Sequence, residues 1–257
     1  VQHFKSLYPI VRYDPSMKPN PVDWLIDELW QDGKINGMAG FEKSGKSRLM
    51  NWLLVGMSAG RVLGLAANPK KVLYLCGEET VSHVNSRIVR YAELQGVPKS
   101  QFDIGFIEAA AMRLDIKKQR DEMIEQILDE DYEMLVIDPW RRVHAADEDK
   151  SVAMSPIYND LRKWSNKHNL TVVLLHHTPK ISIDTDMTRM ASWFRGSTDL
   201  PAILDTAQYI DRINQHTIDI RRQGRFPPLP KLRITDLGGK SLNDDQGFEC
   251  GISDTKH

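Results

Sequence analysis

The octet Gly40-Phe41-Glu42-Lys43-Ser44-Gly45-Lys46-Ser47 limits this chain more than any other feature, because G-x-x-x-x-G-K-S has meaning in one setting only. It must follow a strand and open a helix. Here an apolar stretch around Ile35 to Ala39 precedes it, and a helical pattern from Lys46 to about Ala59 follows, with Leu49, Leu53 and Gly56 on one face. A chance loop of the same composition would lack both flanks. In that setting each residue type has a reason. Gly40 and Gly45 let the backbone turn so that successive N–H groups point at phosphate oxygens. The helix beginning at Lys46 adds the positive end of its dipole. Lys46 is placed to reach β- and γ-phosphates and the Ser47 hydroxyl to ligate magnesium, so the octet is expected to hold a nucleoside triphosphate with Mg2+.

The rest of the chain reads as the α/β frame such a loop needs. Val72–Cys76, Met134–Ile137 and Thr171–Leu175 are near-continuous apolar runs, typical of strands covered on both faces. Phe102 to Ile107 alternates like a further strand. Helical patterns lie between them: Val81 to Leu94, ending before Gly96-Val97-Pro98; Ile116 to Leu128, with Met123, Ile124 and Ile127 inward; and one marked by Ile157, Leu161 and Trp164. This rhythm predicts a mostly parallel twisted sheet with helices on both faces. After Asp199 the helices stop, and Ala207–Asp211, Thr217–Arg222 and Lys231–Thr235 predict an antiparallel extension. Residues 1–33, with four prolines, read as an arm ending in a short helix over Trp24–Trp30, and 34–257 as the core.

Composition excludes several classes. With 257 residues, 34 Lys plus Arg and 35 Asp plus Glu, the net charge is -1, so bulk positive charge cannot attract nucleic acid and any such contact must be local. Two cysteines, Cys76 and Cys250, make no disulfide framework and fit a reducing cytoplasm; Cys76, inside an apolar strand, is expected to be buried. No apolar run approaches the roughly 18 residues of a membrane span, so the Asn169-Leu170-Thr171 sequon carries no expectation of glycosylation. The chain starts at Val1 and not at Met, which is expected either of a trimmed chain or of a piece of a longer protein.

A second metal-side group is expected where a buried strand ends, and Asp138 closes Met134–Ile137 in that way. Pro139 follows it, whereas chaperone-like and transporter ATPases carry a catalytic Glu there, so the water-polarising group must lie elsewhere. Glu78 and Glu79, just beyond Val72–Cys76, are candidates at the carboxyl end of the sheet. Capping of the next helix is their bland alternative. Nothing matches a guanine-specific N-K-x-D, since Asn166-Lys167-His168-Asn169 lacks the final aspartate; ATP is the expected nucleotide.

Glu78 after the second strand, Asp138-Pro139-Trp140-Arg141-Arg142 after another, Leu174-Leu175-His176-His177, and Phe194-Arg195-Gly196-Ser197 together resemble RecA-like P-loop ATPases. The pattern, with Pro21-Val22-Asp23-Trp24 before the loop, is most similar to replicative DNA helicases of the RepA type from plasmids and phages, over roughly residues 20 to 237. The resemblance implies a homo-oligomeric ring, commonly a hexamer, with ATP between subunits and single-stranded DNA in the channel. A primase or replication initiator is a further candidate partner. It assigns Glu78 as catalytic carboxylate, Asp138 to the magnesium side, and a histidine ending the Leu174-Leu175 strand as γ-phosphate sensor. Neighbouring strand residues face opposite ways, so one of His176 and His177 can do this, and His177 is favoured. The resemblance also places an arginine finger in Arg221-Arg222-Gln223-Gly224-Arg225, with Arg222 first and Arg225 next.

For DNA, the long segment after His177 offers Lys180, Arg189 and Arg195 for phosphates and Trp193 for stacking on a base. The segment after Asp138 offers Arg141 and Arg142, but the acidic Asp147-Glu148-Asp149 opposes DNA there. A RecA- or RadA-like recombinase, or a module whose assembly is gated by nucleotide, would carry many of the same residues.

Overall fold

The computed structural model describes Ser16 and residues 21–109, 112–178, 189–194, 199–214, 216–226, 229, 231–236 and 248–252. Two short strands come first, β1 (Trp24–Ile26) and β2 (Trp30–Gln31). The strand β3 (Ile35–Gly40) then runs through the Gly-rich loop into α1 (Lys46–Ser58), followed by the small pair β4 (Arg61–Val62) and β5 (Leu65–Ala66). Strands and helices alternate next: β6 (Val72–Cys76), α2 (Val81–Gln95), β7 (Ile104–Glu108), α3 (Lys117–Asp129), β8 (Met134–Asp138), α4 (Ser151–His168) and β9 (Thr171–His177). The last elements are α5 (Asp199–Ile203), β10 (Thr206–Arg212), β11 (Thr217–Gly224), β12 (Leu232–Asp236) and β13 (Phe248–Ile252).

One nine-stranded sheet has the order β13-β12-β11-β10-β3-β9-β8-β6-β7. From β10 to β7 the strands are parallel, so β10, expected in the antiparallel extension, instead joins β3 in parallel; β11 and β12 add on antiparallel as expected, and β13 follows as a strand the sequence pattern did not predict. The apolar runs explain the two-sided burial. Val173 and Leu175 of β9 enter the layer beneath α1 and α2, while Val172 and Leu174 enter the layer beneath α3, α4 and α5. Helix ends follow local chemistry. Thr80 caps α2 by accepting from the His83 N–H, and Gly96 ends it in the left-handed region at φ 66°. Because β3, β9, β8 and β6 are spatial neighbours, their carboxyl ends bring Gly40, His177, Asp138 and the Glu78 turn to one edge, where open α/β sheets bind ligands.

The helix expected over Trp24–Trp30 is instead a hairpin, β1 against β2. Glu28 takes the left-handed region at φ 57° and the Leu29 N–H donates to the Ile26 carbonyl at 2.9 Å, closing the turn. Buried polar side chains of β10 favour this form. Gln208 and Thr206 donate to the Leu29 carbonyl, and Gln208 accepts from the Trp30 indole at 3.0 Å. Leu25, Ile26, Leu29 and Trp30 are buried in the hairpin, and their i, i+1, i+4, i+5 spacing would equally share one face of a helix, so spacing alone does not separate the two.

Candidate nucleotide-binding and hydrolysis site

The Gly-rich loop is shaped by two glycines for different reasons. Gly45 sits at φ 94°, a conformation strained for any residue with a Cβ. At Gly40 a Cβ would meet the Ile210 carbonyl and Ser44 Oγ at 2.8 Å, so the neighbouring strand and the loop itself require its absence. The first turn of α1 leaves N–H groups without intrahelical acceptors, directed at the loop. Ser44 Oγ is buried with no hydrogen-bond partner among the described residues, a donor suited to a phosphate oxygen. Lys46 is buried and donates to the Gly40 and Phe41 carbonyls, both at 2.8 Å; an ammonium has three donors, so one remains for an anion. Burial lowers its pKa to about 8, against the pull of Asp138, Glu78 and Glu42.

A cleft of about 250 Å³ opens above the loop, lined by Lys46, Ser47, Glu78, Glu79, Asp138 and His177 among others. Asp138 ends β8 next to Ser47, with which it shares a hydrogen bond, and the Tyr74 hydroxyl donates to its Oδ2. Burial raises the pKa of Asp138, while the bonds from Tyr74 and Ser47 and the charge of Lys46 hold it down. A hydroxyl and a carboxylate at adjacent positions are hard oxygen donors, which is the donor chemistry magnesium takes. The Asp138–Pro139 peptide is cis.

Glu78 and Glu79 separate clearly in the structure. Glu79 is engaged by Arg87 of α2 through both carboxylate oxygens and is thereby occupied. Glu78 faces the cleft, with Arg142 Nε at 3.2 Å and His177 Nε2 at 3.9 Å from its Oε1. Gly77 lets this corner close, since a Cβ there would meet the Arg142 Cβ at 2.7 Å. Burial and Lys46 lower the pKa of His177, so its imidazole is held neutral, with Glu78 and Glu42 pulling the other way. His176 points into the opposite layer. It accepts the His177 N–H on Nδ1 and turns Nε2 toward Glu148 at 3.6 Å, where His144 also lies. Cys76 is buried beside this site, its thiol pushed up to about 12 by burial first and by Asp138, which makes it inert.

Two site expectations need correction. Arg222 does not project toward a neighbour: its side chain is fully buried and donates to the Glu28 carbonyl and carboxylate at 3.1 Å each, fastening the hairpin to the sheet. Ile218, Ile220 and Arg222 share one face of β11, and that alternation carried the signal. Of the other two arginines, Arg221 is 31% exposed and paired with Asp211, whereas Arg225 is 67% exposed with Asp205 at 3.8 Å. Trp193 is also not available to stack on a base. Its ring is buried, tilted against Tyr209 at 5.8 Å, and its carbonyl accepts from Thr178. Arg189 is exposed. Lys180 and Arg195 lie outside the described residues. Sequence reasoning missed Tyr74 and Arg87, which hold Asp138 and Glu79. No motif marks them, because their contacts depend on which elements become neighbours.

A parallel sheet extended by antiparallel strands, with a phosphate loop after β3 and acidic and histidine side chains at the ends of β6, β8 and β9, defines a RecA-like P-loop ATPase. The AAA domain family matches residues 10–182, more than half of the chain, and the chain belongs to that family. Among solved structures, the RadB recombinase is similar with a TM-score of 0.59 and 18% identity, over 86% of this chain and 91% of that one, which shows the shared fold. No curated protein matches the chain significantly. Among the described residues no helix is long and apolar enough to cross a membrane.

Proposed function

We propose that the chain hydrolyses ATP to drive movement along single-stranded DNA, as a ring-forming replicative DNA helicase of the plasmid or phage type. The observation that carries this reading is the position of His177. It ends β9 inside the cleft, 3.9 Å from Glu78, and directly precedes the segment bearing Lys180, Arg189 and Arg195. A group that senses the γ-phosphate would thus begin the stretch expected to touch DNA.

In this reading the N–H groups of the loop and Lys46 hold the β- and γ-phosphates. Ser47 and Asp138 would hold magnesium, which when bound neutralises charge on the phosphate oxygens. Glu78 orients and polarises the attacking water, with Arg142 and His177 fixing its carboxylate. His177, with a neutral imidazole, donates its ring N–H to the γ-phosphate side and shifts with hydrolysis. An arginine from a neighbouring subunit completes the site, and Arg225, exposed beyond the end of β11, replaces Arg222 as the residue to test.

A recombinase-type ATPase that assembles on DNA is the second reading, favoured by the fold likeness to the RadB recombinase. A nucleotide-gated interaction module is a third, in keeping with the net charge of -1. ATP turnover with and without single-stranded DNA, with strand displacement and native mass, separates them. DNA-stimulated turnover plus unwinding by a closed ring supports the helicase. Filaments that pair strands support the recombinase, and slow turnover indifferent to DNA supports the module.

A further inference from the structure

We infer that Tyr74 is a positioning residue for the metal-side carboxylate, its hydroxyl holding Asp138 in the orientation that faces Ser47. The inference rests on the reading of Asp138 as the magnesium-side group. Tyr74 lies in the middle of β6, whose other residues are Val72, Leu73, Leu75 and Cys76, and its side chain is completely buried. The packing there is apolar and asks for no hydroxyl: the ring lies 6.1 Å from that of Phe106, tilted by 46°. A phenol placed in such a strand must find an acceptor, since a buried unpaired hydroxyl is costly.

Register supplies the acceptor. Tyr74 pairs with Val136 of β8 and Cys76 with Asp138. Side chains two apart share a face, so Asp138 is the diagonal neighbour of Tyr74, within reach of a long aromatic. The hydroxyl donates to Asp138 Oδ2. A recess of about 30 Å³ joins Tyr74, Ser47 and Asp138 behind the main cleft, so the phenol closes the inner wall of the metal side. Outer partners of this kind typically change metal affinity by about 10- to 100-fold when removed.

The test uses the full chain and reads metal dependence directly. Binding of a fluorescent ATP analogue is titrated with Mg2+, and Mn2+ binding is followed by electron paramagnetic resonance, in wild type, Tyr74→Phe, Asp138→Asn and the double variant. Tyr74→Phe should weaken apparent metal affinity about tenfold or more, leaving analogue binding in EDTA and the melting temperature near wild type. Asp138→Asn should weaken it at least as much, and adding Tyr74→Phe should then change nothing further, because the hydroxyl acts through that carboxylate. Tyr74→Met, which keeps an apolar filling without the hydroxyl, should behave like Tyr74→Phe. Wild-type metal dependence in Tyr74→Phe beside a weakened Asp138→Asn overturns the inference and leaves the metal reading standing. Wild-type dependence in Asp138→Asn overturns both. A full additional effect of Tyr74→Phe in the Asp138→Asn background also overturns the inference.

Discussion

His177 Nε2 and Glu78 Oε1 lie 3.9 Å apart across the mouth of the phosphate cleft, although 98 intervening residues separate them in sequence. The contact exists because β6 and β9 flank β8 and end at the same edge. It distinguishes the two adjacent glutamates. Glu78→Gln should cut ATP turnover by about 10²- to 10⁴-fold while leaving nucleotide binding near wild type. Glu79→Gln should lower the melting temperature instead, since it releases Arg87, a partly exposed pair worth about 1 kcal/mol. Steady-state turnover and thermal melts of both variants check this; a reversed pattern would transfer the catalytic assignment to Glu79.

His177→Ala should separate hydrolysis from its stimulation by DNA. The imidazole faces Glu78, and His177 directly precedes the candidate DNA segment in the chain, so its loss should remove most of any DNA-dependent increase in turnover. Nucleotide affinity should fall little. Turnover measured across single-stranded DNA concentrations reads the ratio, and an unchanged ratio would deny His177 a coupling role.

The depressed pKa of Lys46, about 8, gives nucleotide binding a pH signature. Below that value the ammonium is charged and ready for phosphate; above it the amine is neutral until the ligand restores the proton. Affinity should therefore fall as pH rises from 7 to 9, with proton uptake on binding near pH 8. Calorimetry in two buffers of different ionisation enthalpy measures the uptake. Proton release, or no buffer dependence, would contradict the assigned environment of Lys46.

Arg222→Ala should act on stability. It leaves the hairpin turn at Glu28 without its anchor and removes a fully buried guanidinium, a change on the order of 2–3 kcal/mol. Arg225→Ala should leave the melting temperature near wild type and reduce turnover in the assembled protein, with inactive Lys46→Ala subunits regaining a working neighbour in mixed assemblies. Equal effects of the two substitutions on turnover alone would count against this division.

The alternating strands and helices were legible because β6, β8 and β9 are apolar runs too short for helices and bounded by polar or Gly turns. Positions at strand ends were legible too, which is why Glu78, Asp138 and His177 stand around one cleft with Lys46 and Ser47. What the sequence hid depends on tertiary neighbours. Leu25, Ile26, Leu29 and Trp30 suit a helix or a hairpin, and the polar side chains of Thr206 and Gln208, nearly 180 residues away, decide between them. Trp193 resembled an exposed aromatic because the Tyr209 ring that covers it belongs to β10. Arg222 was misread for a different reason: an arginine in a basic turn invites a role at the surface, while strand parity placed it inside. The Tyr74–Asp138 contact needed the β6–β8 register, which β7 and α3 obscure in linear order.

The central claim is that backbone N–H groups ahead of α1, with Lys46, grip a nucleoside triphosphate. Isothermal calorimetry of Mg2+-ATP binding to the wild-type chain and to Lys46→Ala, with melting temperatures recorded for both, tests it most directly. The expected result is saturable binding by wild type and a loss of about 100-fold or more in the variant, roughly 2.7 kcal/mol, with the fold retained. Equal affinity in the two proteins would contradict it.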